Sequence, residues 1–235
     1  FEENFQNVFE ILHILPFYPA SSDGGFSVTD HKNVNKDLGT WNDIRLLSNH
    51  VNIMADLILN HASIKSKWFK SFLKQQKKYK SFFFTIDEGF DVSKVIRPRD
   101  HDLIQAYINK KNKNNLWCTF SPDQIDLNFK DPIVLIQFIE IIFLLLSKGI
   151  TIFRLDAVAF IWKKHGTTCV NLLETHEIVK LLRLLINYVN PSALIVTETN
   201  LPKRENLSYF GNKDEANWIY NFSLPPLILY TFLFE

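Results

Sequence analysis

Two acidic residues stand where apolar strands run out. The stretch Ile152-Phe153-Arg154-Leu155-Asp156-Ala157-Val158 is apolar except for an arginine and an aspartate two positions apart. Side chains alternate along a strand, so Arg154 and Asp156 share a face. Burying both charges is costly unless each has partners. The pair fits either a structural ion pair or a catalytic carboxylate oriented by its arginine. A second run, Leu194-Ile195-Val196-Thr197-Glu198, ends in another acid. Two carboxylates on neighbouring strand ends are what glycosyl transfer needs.

The elements that must position them alternate. Strands are expected over 9–17, 51–59, 150–158 and 193–198, with a further one over 217–222. Helices are expected over 40–48, with Thr40 as cap, over 132–147, with Pro132 in the first turn, and over 174–188. Near-continuous apolar strands alternating with helices imply a parallel sheet covered by helices, an α/β fold. Order alone does not separate a closed barrel from a doubly wound sheet. Residues 65–80 read as an amphipathic helix with a solvated basic face. The stretch 62–130 breaks the alternation. It is basic, aromatic and asparagine-rich (INKKNKNN), too long for an ordinary connection, and reads as an inserted subdomain or lid.

Parallel α/β sheets bind ligands at the carboxyl ends of their strands. Polar residues collect there: Asp23 to Phe26 after the first strand, Asn60-His61 after the second, Arg154 and Asp156 on the third, Glu198 and Asn200 after the fourth. Four such clusters in succession point to one shared site.

Composition narrows the function classes. The 235 residues carry a net charge of +1, so bulk electrostatics does not favour nucleic acid or an anionic membrane. The longest apolar stretch, 133–146, contains Gln137 and Glu140 and is too short to span a bilayer. Cys118 and Cys169 have no cysteine or metal-ligand spacing around them and read as free thiols in a reducing compartment, hence a cytoplasmic protein. The acidic opening of residues 1–4 does not fit a signal peptide. The missing initial methionine and the apolar run at 227–234 suggest a fragment of a longer protein.

The motifs resemble the α-amylase superfamily of (β/α)₈-barrel glycosidases. Asp56-Leu57-Ile58-Leu59-Asn60-His61 is similar to the D-x-x-x-N-H motif. Phe153-Arg154-Leu155-Asp156-Ala157 resembles the nucleophile motif, and Glu198 in Val196-Thr197-Glu198-Thr199 the acid/base motif. Gln124-Ile125-Asp126-Leu127-Asn128 resembles an additional motif. The segments His13 to Phe17, Asp23 to Phe26, Asp30-His31, Arg97-Pro98-Arg99 and Leu224 to Leu227 look like the sucrose phosphorylase branch. Glu198-Thr199-Asn200 and Glu205 to Gly211 are more like relatives acting on other glucosides, such as glucosylglycerate phosphorylases, and the choice stays open.

The resemblance implies a partial TIM barrel of about strands two to six. Residues 1–61 and 131–235 would form parts of the catalytic barrel and 62–130 an inserted B-type subdomain after the third barrel strand. The implied activity is retaining α-glucosyl transfer through a covalent glucosyl-enzyme, giving glucose 1-phosphate from a glucoside and phosphate. The alternatives are a hydrolase of the glucosidase or amylase type, or an inactive fragment or non-catalytic scaffold. Asp156 would be the nucleophile, kept ionised by Arg154, and Glu198 the acid/base. Asp23 and His61 would grip the glucosyl hydroxyls, Phe26 would stack on the sugar, Arg99 would face the acceptor, and Gln124 would contact the same subsite. Asn60 matches a calcium ligand of true amylases, an ion the phosphorylase branch does not use, so no metal and no cofactor are expected. His13 and His31 read as structural.

Overall fold

The apolar runs do become strands, and their order decides between the two α/β architectures. The computed structural model describes residues 5, 8–109 and 112–234. Strands β1 (Ile11–Ile14), β2 (Asn52–Ile58), β7 (Ile150–Asp156), β8 (Leu194–Thr197) and β9 (Trp218–Ile219) form one sheet in the order β1-β2-β7-β8-β9, every pair parallel. The spatial order follows the chain order without reversal. A doubly wound sheet reverses at a switch point, whereas a barrel wall does not.

Helices connect the strands. They are α1 (Trp41–Ser48), α2 (Lys67–Leu73), α3 (Pro132–Ser147), α4 (Leu173–Val189), α5 (Lys203–Leu207) and α6 (Leu224–Phe234). Local chemistry sets their ends. Asp43 Oδ2 accepts from the Thr40 amide at 2.7 Å, capping α1. Asp131 accepts from the Ile133 amide at 3.0 Å, with Pro132 in the first turn of α3. Gly149, at φ +91°, closes α3 in a left-handed conformation.

One sheet face carries Ile53, Ala55 and Leu57 of β2, Phe153 and Leu155 of β7, and Ile195 of β8, all buried. They join a core with Phe138, Ile141 and Leu145 of α3 and Val179 and Leu182 of α4. Alternation puts Asp56, Arg154, Asp156 and Val196 on the opposite face. The register pairs Asp56 with Arg154 and Ile58 with Asp156.

The region between β2 and α3 carries two small antiparallel sheets. β3 (His61–Ser63) pairs with β6 (Gln124–Asp126), and β4 (Ile104–Asn109) with β5 (Asn112–Trp117). The asparagine-rich stretch falls on this second hairpin, apart from residues 110 and 111, which like residues 1–4 lie outside the described ones. Phe84, Leu103, Trp117 and Cys169 form a second, smaller core.

Three elements are shorter than expected by more than two residues. β1 stops at Ile14, and Phe17 and Tyr18 turn into the core instead. The expected 65–80 helix ends at Leu73, because Gln75 adopts φ +54°. β9 has only two residues. Every residue of the apolar helix α6 is exposed. Among the described residues, no helix is long and apolar enough to cross a membrane.

Candidate active site

The end of β7 is built to bring two acids together. The chain leaves the strand at Asp156 and turns through Ala157 at φ +48°, a left-handed conformation rare for a residue with a Cβ. That turn aims the Ala157 amide at Glu198, whose Oε2 accepts it at 2.9 Å. Leu155 pairs with Thr197, and the Glu198 amide donates to the Leu155 carbonyl at 3.1 Å. Asp156 and Glu198 therefore stand side by side, one residue beyond the last paired positions of adjacent strands.

Arg154 lies beneath them. Its Nη1 donates to Asp156 Oδ1 at 2.9 Å and also to Asp56 Oδ1. The Phe26 and Tyr220 rings flank the guanidinium carbon at 5.8 and 5.3 Å. Asp56 is fully buried, and its second oxygen meets His13 Nε2 at 2.9 Å.

The charge balance differs from the expectation that Arg154 keeps Asp156 ionised. Burial pushes the Asp156 carboxyl up to about 7, against the pull of Arg154 and with the help of Glu198 and Asp56. Charge adds to burial: three carboxylates face one guanidinium, and that guanidinium is divided between two of them.

Around the pair, Asp23 Oδ2 accepts from Gln124 Nε2 at 2.8 Å, and Gln124 is buried, its Oε1 without a hydrogen-bond partner among the described residues. The Asp23 turn is tight: a Cβ on Gly25, at φ +107°, would meet the Pro16 carbonyl oxygen at 2.7 Å. His61 is buried, its Nε2 lies 3.1 Å from the Phe26 carbonyl, and burial lowers its proton affinity. The loop holding Asp23 and Phe26 is anchored by Asp123. Oδ2 of Asp123 accepts from Ser21 at 2.6 Å and Ser27 at 2.8 Å, while Oδ1 accepts from Ser63 at 3.0 Å. Arg99 is exposed and donates to the Pro98 carbonyl at 3.2 Å, so its guanidinium is held by its own loop.

Asn60 meets a side chain that sequence reading had passed over. The buried ammonium of Lys163 lies 2.5 Å from Asp126 and donates to Asn60 Oδ1 at 2.9 Å. Asn60 Nδ2 and the Thr119 hydroxyl donate to Asp126 Oδ2 at 3.0 and 2.6 Å, and the Thr119 amide to its Oδ1 at 2.9 Å. The cation in this network is a lysine. Among the described residues, no group of three or more metal-ligating side chains stands together. A cavity of about 890 Å³ lies elsewhere, between the residues after β8 and helix α6. Its lining includes Phe210, Phe222 and Tyr230 and no acid, so we place the chemistry at the strand ends instead.

Residues 8–231 match the alpha amylase catalytic domain. The chain belongs to the alpha-amylase family. It is 48% identical over 231 residues to a glucosylglycerate phosphorylase of Allomeiothermus silvanus, covering 98% of this chain and 42% of that protein. It is 32% identical to a sucrose phosphorylase of Agrobacterium vitis, over 96% of this chain and 48% of that protein. The crystal structure of a sucrose 6F-phosphate phosphorylase from Thermoanaerobacter thermosaccharolyticum superposes with a TM-score of 0.87 at 27% identity, over 98% of this chain and 49% of that one. The chain thus spans under half the length of these relatives, and its five-stranded parallel sheet is a partial TIM barrel of the alpha-amylase type.

Four residues of this alpha-amylase-family site escaped sequence reading as site residues: His13, Asp123, Lys163 and Tyr220. Each acts across elements 40 or more positions apart in the chain. The one signal available was a lysine just after the buried turn at Val158–Phe160.

Proposed function

We propose that this chain carries the catalytic pair of a retaining α-glucosyl transferase that uses phosphate as acceptor. The observation that carries the reading is the adjacency of Asp156 and Glu198 on neighbouring strand ends, with Arg154 beneath. Retaining enzymes hold their carboxyl groups roughly 5–5.5 Å apart, close to the ~4.8 Å spacing of neighbouring strands.

In this mechanism an Asp156 oxygen attacks the anomeric carbon while Glu198 gives its proton to the leaving oxygen. Phosphate then attacks the glucosyl-enzyme, Glu198 takes the acceptor's proton, and glucose 1-phosphate departs with retained configuration. One proton must rest on the pair, and in the first step it must rest on Glu198. Burial already raises the proton affinity of the Asp156 carboxyl to about 7. Substrate has to shift the proton away from Asp156. Asp23, His61 and Gln124 hold the glucosyl unit, Phe26 stacks on its apolar face, and Arg99 meets the anionic acceptor.

The 48% identity to a glucosylglycerate phosphorylase, against 32% to a sucrose phosphorylase, supports glucosylglycerate as the glucoside. Residues 1–61 and 131–235 form the barrel part and 62–130 a B-type subdomain over the cleft. The reaction needs no metal or cofactor, because proton transfer and covalent attack are both done by carboxyls. Two free cysteines support a cytoplasmic setting.

The test is to incubate the full-length protein with glucosylglycerate or sucrose, with and without phosphate. Phosphate-dependent glucose 1-phosphate is expected. Free glucose formed equally in both conditions would make it a hydrolase, and no turnover of either glucoside would remove the reading.

A further inference from the structure

Asp56 faces two donors from two strands, and only one of them reaches the reacting carboxylate. His13, on β1, meets one Asp56 oxygen at 2.9 Å, and Arg154, on β7, meets the other. The same Arg154 nitrogen also holds Asp156 at 2.9 Å. We propose that His13 is a positioning residue for the glucosyl-transfer reaction: its ring occupies Asp56 so that Arg154 is shared with Asp156 rather than drawn wholly to Asp56. The role in turnover rests on the function proposed above.

The physics is that of a buried carboxylate with two oxygens to satisfy. Asp56 has no exposure, so each of its oxygens needs a donor or pulls harder on the one it has. Remove the His13 donor, and among the described residues the guanidinium is the remaining hydrogen-bond donor to the Asp56 carboxyl; the Tyr18 hydroxyl is already spent on the Asp56 backbone carbonyl at 3.0 Å. Arg154 then moves toward Asp56, and Asp156 loses the cation it is paired with. The other charged groups acting on Asp156 are Glu198 and Asp56, and both oppose its ionisation. Packing does not explain a histidine at position 13. Leu12 and Ile14 on the opposite face of β1 pack against the core, whereas the His13 side chain is 22% exposed on the site face.

The test uses His13→Ala and His13→Gln in the full-length protein, with the Asp156 carboxyl followed by ¹³C NMR in the absence of substrate and assigned with Asp156→Asn. His13→Ala is expected to raise the titration midpoint of Asp156 by about half a pH unit or more, and His13→Gln, which still donates an N–H, to bring it back toward wild type. In turnover, His13→Ala lowers kcat by roughly tenfold with KM within about twofold. An unchanged Asp156 midpoint in a folded His13→Ala protein overturns the proposal, as does a shift that His13→Gln fails to reverse. The midpoint is read without substrate. A wild-type protein that makes no glucose 1-phosphate therefore removes the proposed function and leaves this measurement decisive for the coupling.

Discussion

The Ala157 amide donates to Glu198 Oε2 at 2.9 Å, tying the residue after one acid to the side chain of the other. The contact spans 41 positions of sequence and fixes Glu198, the proposed acid/base, beside Asp156, the proposed nucleophile. Ala157 adopts its left-handed backbone to make it, so local strain and preorganised geometry meet at one residue.

Asp156 should trade stability for chemistry. Its proton affinity is raised by burial from 3.8 to about 7, above its unfolded value. A group raised in this way contributes stability that is complete below about pH 4 and is lost as pH rises through about 7. The three-unit difference corresponds to about 4 kcal/mol. Asp156→Asn, which cannot ionise, should therefore match wild type in urea unfolding near pH 4 and exceed it at pH 8. The same variant should lose turnover by a factor on the order of 10⁴ or more. Equal unfolding midpoints at pH 8 would contradict the burial argument, and near-normal turnover would refute the nucleophile.

Glu198→Gln should separate protonation from attack. With a glucoside whose leaving group needs a proton, the rate should fall by about 10²–10⁴-fold. With glucosyl fluoride, which needs little help to leave, formation of the covalent intermediate should persist and be visible by mass spectrometry. Loss of both reactions to the same degree would argue against an acid role.

Lys163 should matter for folding out of proportion to its place behind the catalytic face. Lys163→Met leaves the fully buried Asp126 without its cation and should destabilise the protein by about 3–5 kcal/mol in chemical denaturation. Pairing it with Asp126→Asn should recover much of the loss, because the uncompensated charge disappears. A single Lys163→Met variant as stable as wild type would show that the ammonium is dispensable.

Asp123 and Phe26 should act on binding. Asp123→Asn removes an acceptor from a carboxylate that holds Ser21, Ser27 and Ser63, loosening the loop that carries Asp23 and Phe26. KM for the glucoside should rise by about tenfold, the ~1.4 kcal/mol of one weakened anchor, with kcat nearly constant. Phe26→Ala should also weaken substrate binding, through the lost ring face. A fall in kcat without a change in KM would place either residue on the chemical step instead.

Much of the frame was legible because its signals are local. Alternation along Ile152 to Asp156 assigns Arg154 and Asp156 to one face, Pro132 and Gly149 bracket a helix, and the apolar runs of β2, β7 and β8 announce a parallel sheet. The family motifs around Asp56, Asp156 and Glu198 are short and contiguous, so they too could be read from the chain. In the helix expected over 65–80 a single backbone angle decided the outcome: Gln75 at φ +54° ends α2, and neither composition nor periodicity encodes that angle.

What the chain could not announce depends on which strand lies beside which. The unreversed order β1-β2-β7-β8-β9 makes a barrel wall, and order in space is a property of packing. That order sets His13 against Asp56 and splits Arg154 between two carboxylates; it also places Lys163 on Asp126. The ionisation of Asp156 follows from those neighbours and from its exclusion from water, since the energy of a charge depends on all that surrounds it and not on its position in the sequence.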